Sequence, residues 1–236
     1  MCSRMTTQDS TLSQMTAGVR DIAPALVAAV PIGFLYGALA TLKGLSPVEV
    51  MLTSSLVYAG GAQFSALELW KQPAPVLLLT FSVLLINLRH VLMGMSLVRK
   101  MQLFPQRLRA LGFFFMVDET WAFSERRAAG AVLRPSYYFG MGLVFWLNWV
   151  LCSTLGALGG SLLGDPKRIG ADFAFTALFI GLIAGFWKGR ATAIPVVGAA
   201  VASAALYVLC GPPWHIAGGA CVGIVAAYLT APEESA

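Results

Sequence analysis

An all-α integral membrane protein is predicted by three features of this chain. Of its 236 residues 58% are hydrophobic and only 11% are charged, whereas a soluble domain carries about a quarter charged residues. The mean hydropathy is +0.75. The apolar residues are also blocked into runs which, at ~1.5 Å of helix per residue, match a hydrocarbon core of about 30 Å.

Taken in order, residues 1–20 are rich in Ser, Thr and Gln and lack the short apolar core of a cleaved signal, so a polar tail is expected there. Spans are expected at 22–42, 48–70, 75–98, 136–163, 172–187, 191–210 and 213–231, with 21–231 forming one transport domain and 232–236 a polar tail. Pro24, Pro31 and Pro195 fall inside spans and are expected to kink them. Tyr137, Tyr138, Trp146, Trp149 and Trp187 suit either interfacial belts or helix packing. Gly156 and Gly159 suit close approach of one helix to another. The piece from Leu111 to Phe123, interrupted by Asp118-Glu119, is too short to cross comfortably. Arg99, Lys100, Arg107, Arg109, Arg126, Arg127 and Arg134 flank it. If it does not cross, all of these lie on one side, which the positive-inside rule makes cytoplasmic. Seven spans plus a re-entrant segment is therefore the favoured reading, with eight spans as the alternative.

A faint internal echo relates Glu49, Thr53 and Val57 to Asp172, Thr176 and Ile180. With an odd number of crossings between them, units 22–98 and 136–210 would form an inverted repeat, as in many secondary transporters.

The net charge of +5 comes from loop lysines and arginines rather than a basic stripe, so nucleic acid is not an expected partner; the bilayer is. Four cysteines without Cys-x-x-Cys spacing and two histidines make a disulfide framework or a metal site unlikely to be encoded, and no cofactor is expected. The Gly-x-x-x-x-Gly-Lys-Ser/Thr phosphate loop is absent, which argues against direct ATP use.

Three constellations carry chemistry. In Tyr58-Ala59-Gly60-Gly61-Ala62-Gln63-Phe64, adjacent glycines lower helix propensity by roughly 1 kcal/mol each relative to alanine. A helix broken there would present free N–H groups and a positive dipole end to a substrate carboxylate, with Gln63 adding a side-chain amide. Close packing through small residues is the competing reading. In Asn87-Leu88-Arg89-His90, an arginine lies deep in an apolar run at a cost of roughly 3 kcal/mol. Helical geometry puts Asn87 and His90 on one face and Arg89 on another. Either the helix unwinds, or Arg89 pairs structurally with Asp118 or Glu119 while Asn87 and His90 face the pathway. Asp118-Glu119, among Phe113, Phe114, Phe115 and Trp121, forms either a proton-carrying site or a solvated interfacial turn. The expected substrate-binding set is therefore Tyr58, Gly60, Gly61, Gln63, Asn87, Arg89 and His90, with Asp118 and Glu119 as proton-coupling or ion-pair residues.

In this order the motifs resemble the AzlC family of branched-chain amino acid permeases. The resemblance extends from about Gly18 to Tyr228 and is carried by Pro31-Ile32-Gly33-Phe34-Leu35-Tyr36-Gly37, the Tyr58–Phe64 motif, Asn87-Leu88-Arg89-His90 and Asp118-Glu119-Thr120-Trp121-Ala122. Some relatives have Asp where this chain has Asn87, so no acidic role is carried over there. The resemblance implies the large subunit of a two-component secondary exporter of branched-chain amino acids such as L-valine, ion- or proton-coupled. It further implies a small AzlD-like membrane subunit as partner and a location in the cytoplasmic (inner) membrane. Two other classes compete: an intramembrane enzyme using His90 with Asp118, for which no nucleophile–base spacing is present, and a non-transporting scaffold.

Overall fold

The structure, a computed structural model, describes residues 10–211 and 214–230 apart from 160–172, 174–179, 181, 182, 185, 186 and 188. Among the described residues there are ten helices and no strand. They are α1 (Thr11–Leu42), α2 (Pro47–Leu56), α3 (Gly60–Leu69), α4 (Val76–Asn87), α5 (Arg89–Val98), α6 (Gln106–Phe114), α7 (Asp118–Gly130), α8 (Pro135–Gly159), α9 (Arg190–Cys210) and α10 (Trp214–Thr230). Four helical stretches are long and apolar enough to cross a membrane: α1, α4 with α5 (Val76–Val98), α8 and α9. The chain divides into two compact units, Met1–Glu68 with Asn87–Ala171 and Leu69–Ile86 with Asp172–Ala236.

The first unit is organised on α1 and α8, which run parallel in close contact. Asn148 donates to the Leu26 carbonyl at 3.3 Å, and Tyr137 donates to Asp21 at 2.7 Å. Gly33 lies against Cys152, while a Cβ on Gly37 would fall 1.9 Å from the Ser153 carbonyl oxygen. Hydrocarbon tails are as apolar as leucine, so membrane helices adhere chiefly by packing, and small residues allow that approach. The Gly33-x-x-x-Gly37 spacing supplies such a face. Helix α1 begins at Thr11, capped by Ser10 Oγ accepting from the Ser13 N–H at 3.2 Å, so half of the expected polar tail is helical. Its Gln14 and Gly18 are buried, and Arg127 donates to Gln14 at 3.4 Å, which explains why polar residues extend the helix. The echo's Asp172 and Thr176 lie outside the described residues, as does most of the expected 172–187 span.

Two broken segments depart further from the expected spans. The run 48–70 is not one straight crossing but two helices of 10 residues, each only about 15 Å long. Ser46 starts α2 with a capping box, its N–H donating to Glu49 at 2.7 Å. Helix α3 then folds back. Gln63 donates to Ser54 at 3.3 Å, and Tyr36, hydrogen-bonded to Thr53 at 3.2 Å, also packs its ring against Phe64 at 5.6 Å. A straight helix would carry Phe64 about 16 Å beyond Thr53, out of reach of the same tyrosine ring. The turn occurs at Tyr58, which adopts φ 41°, two residues before the glycines expected to make it.

Residues 106–130 form a second helical hairpin, longer than the 111–123 piece read from hydropathy. Helix α6 passes Tyr138, whose hydroxyl donates to the Gly112 carbonyl at 2.8 Å, and reaches Gly142 at Phe115. Helix α7 then returns, so that Arg127 stacks over Tyr137 at 4.9 Å. Thr120 Oγ1 closes the turn by accepting from the Val117 N–H and donating to the Phe115 carbonyl, both at 2.9 Å. The arms of this hairpin return to the end from which they started, the shape that the favoured re-entrant reading describes. Tyr137, Tyr138 and Trp149 are buried between helices, which decides their role for packing.

In the second unit α9 and α10 are antiparallel, with Gly219 against Ala199 and Ser203 and Gly198 facing Val222 and Ala226. Phe81 of α4 packs on Trp214 at 5.4 Å.

Candidate functional site

The expected site residues sit at three helix interruptions. The first is Val57–Ala59 between α2 and α3, the second Leu88 between α4 and α5, and the third Phe115–Val117 between α6 and α7. In apolar surroundings an interrupted helix is tolerated where protein or a cavity covers the freed backbone. The two hairpin tips meet: the rings of Tyr58 and Phe114 are 6.2 Å apart, and Phe114 and Phe115 both pack on Trp146.

At the α6–α7 tip, Arg89 Nη1 lies 2.9 Å from Asp118 Oδ2. The intramembrane arginine thus pairs with one of its two proposed partners. Helix α5 continues alongside α7: Trp121 donates to Ser96 at 2.9 Å, Ser96 donates to Glu125 at 2.9 Å, and Lys100 pairs with Glu125. This ladder holds the tip in register with Arg89. Glu119, the next residue, is 9% exposed and remains outside the ion pair, yet lies within electrostatic reach of Asp118, Arg89 and Tyr58.

Three expected site residues carry buried polar atoms that have no hydrogen-bond partner among the described residues: Tyr58 Oη, Asn87 Oδ1 and His90 Nδ1. Native proteins satisfy the great majority of such atoms, so each marks a place where a ligand or water completes the structure. His90 also heads a groove of about 450 Å³ between α5 and α6, walled by Val91, Gly94, Met95, Phe113 and Met116.

Gly60 and Gln63 belong to a different cluster. Gln63 accepts from Trp149 Nε1 at 3.0 Å and donates to Ser54, which accepts from Ser153 at 2.8 Å. Ser54 and Ser153 are both fully buried. Trp149 stacks on Tyr36 with centroids 6.1 Å apart and covers Gly60, where a Cβ would meet its ring at 3.3 Å. Gly61 lies in the same first turn of α3. The network fixes the α2–α3 hairpin and engages both ends of the Gln63 amide. Ser54, Trp149 and Ser153 were not among the expected site residues. Lone serines inside apolar runs are a legible signal, because each needs a partner once buried. Trp149→Phe removes one donor to Gln63 and is expected to cost about 1 kcal/mol of stability, read as a lower Tm in detergent; an unchanged Tm would show that the network is not holding the hairpin.

Apolar helices of spanning length, two helical hairpins whose tips meet and a half-buried ion pair at one of them define a polytopic membrane protein. The family profile described as AzlC protein matches residues 24–163. The chain belongs to the AzlC family. It is 30% identical to the inner membrane protein YgaZ of Escherichia coli over 91% of this chain and 89% of that one. It is 32% identical to a membrane protein of Archaeoglobus fulgidus over 89% of this chain and 88% of its relative. Similarity to the branched-chain amino acid transport protein AzlC of Bacillus subtilis is 27% identity over 75% of this chain and 70% of that protein. No solved structure matches. Family membership supports a role in transport.

Proposed function

We propose that this chain is the large subunit of a secondary transporter that exports branched-chain amino acids, L-valine among them, across the cytoplasmic membrane together with a small AzlD-like membrane subunit. The observation that carries this reading is the set of unpartnered polar atoms at the hairpin junction, on Tyr58, Asn87 and His90. An amino acid needs polar partners for its ammonium and carboxylate and apolar walls for its side chain. Helix α3 has no acidic residue in its first turn, so the N–H groups and positive dipole end at Gly60 and Gly61 suit the carboxylate. Helix α7, in contrast, opens with the acidic residues Asp118 and Glu119, which leaves it less suited to an anion. Such apolar walls separate valine from leucine by only roughly 1–3 kcal/mol, so a broad aliphatic range is expected. Asn87 and His90 complete the polar lining in this reading, while Arg89 holds the tip and does not clamp the substrate.

The test is counterflow of labelled valine into liposomes containing the chain with and without the small subunit. Exchange of valine, leucine and isoleucine above that of empty vesicles is expected, and Tyr58→Phe should weaken it at least about fivefold by removing one polar contact. Absence of exchange by the complete two-subunit complex would overturn the reading.

A further inference from the structure

We infer that Glu119, and not its neighbour Asp118, is the group that takes up and releases the transported proton. This rests on the transport reading above and assigns distinct roles to two adjacent carboxylates. Both open α7, but the helical rotation of about 100° per residue sends their side chains to different faces. Asp118 faces Arg89 of α5 at 2.9 Å and is engaged in an ion pair with it. Its work is structural: it ties the α6–α7 tip to the broken helix α4–α5.

Glu119 is buried without an ion pair of its own. The charged and titratable groups facing it are Asp118 on its own helix, Arg89 on α5 and the Tyr58 hydroxyl at the tip of the opposite hairpin. The Arg89 charge is already engaged by Asp118, so the pair presents little net positive charge to Glu119. Placing a second negative charge there, in an apolar setting beside the first, is strongly disfavoured. Glu119 is therefore protonated while the tips are closed. The tip position supplies the other half of a coupling device. Tyr58 and Phe114 meet across the junction, so separating the tips to admit water also exposes Glu119 to water. The proton then leaves its carboxylic acid to water on one side of the membrane and is regained from the other, while Asp118 stays paired with Arg89.

The experiment compares wild type, Glu119→Gln and Asp118→Asn in liposomes containing the complete complex. Two fluxes are read: valine counterflow at equal pH, and valine movement driven by an imposed pH gradient. A third measurement is the infrared band of a protonated carboxyl group in the purified protein without substrate. Glu119→Gln is expected to keep counterflow within about threefold, lose the gradient response at least about tenfold and lose the infrared band. Asp118→Asn is expected to keep the band and to lower stability and both fluxes together. A gradient response in Glu119→Gln equal to that of wild type, or a band that survives in it, overturns the assignment. If Glu119→Gln loses counterflow as well, the band alone decides: its loss supports the assignment and its persistence overturns it. Failure of wild-type valine counterflow would strike the transport reading instead, and the infrared comparison would then show only which carboxyl group is protonated at rest.

Discussion

Gly37→Val is expected to abolish recovery of folded protein. A Cβ on residue 37 would lie 1.9 Å from the Ser153 carbonyl oxygen and 2.5 Å from the Ala157 nitrogen, both backbone atoms of α8. Neither can swing aside as a side chain would, so α1 and α8 must separate. Separation also breaks the contacts at Gly33 and at Gly156, where a Cβ would fall 2.2 Å from the Phe34 carbonyl oxygen. Overpacking a core costs about 1–3 kcal/mol where side chains can adjust. Here the parallel pair organises the whole first unit, and the expected cost exceeds that range. Monodisperse yield and thermal unfolding in detergent measure it. Gly159→Val is the control, because among the described residues nothing lies within 4 Å of a Cβ there. Comparable loss in both variants would show that the damage comes from valine in the helix and not from the contact.

Arg89→Ala should remove most transport and lower stability by about 3 kcal/mol, the lower part of the range for breaking a buried ion pair. The lower part applies because the Arg89 and Asp118 side chains keep 29% and 19% of their surface exposed. What costs energy is the Asp118 carboxylate left without its cation. Arg89→Ala combined with Asp118→Ala removes that charge too, and stability should return to within about 1 kcal/mol of wild type. The fluxes then separate two roles for the arginine. If it positions the hairpin tip, the double variant regains part of the valine counterflow along with its fold. If it clamps the substrate carboxylate, the double variant folds but stays inactive. A double variant no more stable than Arg89→Ala would show that the pair is not what holds the tip.

The arginine also shows how far local reasoning reaches. Its cost in an apolar run is a property of one residue and its surroundings in the chain, so the need for an acidic partner was legible, as were the two candidates for it. Which acid answers depends on the rotation of α7 at the end of a hairpin, and only the fold sets that. The run 48–70 shows the opposite case. Its apolar length suits a crossing, but a folded-back pair of short helices has the same composition. The difference lies in Tyr58 with φ 41° and in contacts from Tyr36 and Trp149, far away in the chain. The Ser54–Gln63–Trp149–Ser153 network was hidden for the same reason, since each partner alone is an ordinary polar residue in an apolar stretch.

The membrane class, the helical content, the neighbourhoods of the helix breaks and the need to neutralise Arg89 all follow from composition and spacing. Hydrophobic length and the cost of a buried charge are set by short stretches of chain, whatever surrounds them. The parallel sense of α1 and α8, the meeting of two hairpin tips and the division of labour between Asp118 and Glu119 follow from tertiary packing. Direction and pairing depend on which surfaces fit closely enough to exclude lipid and satisfy polar atoms, and those surfaces come from residues far apart in the chain.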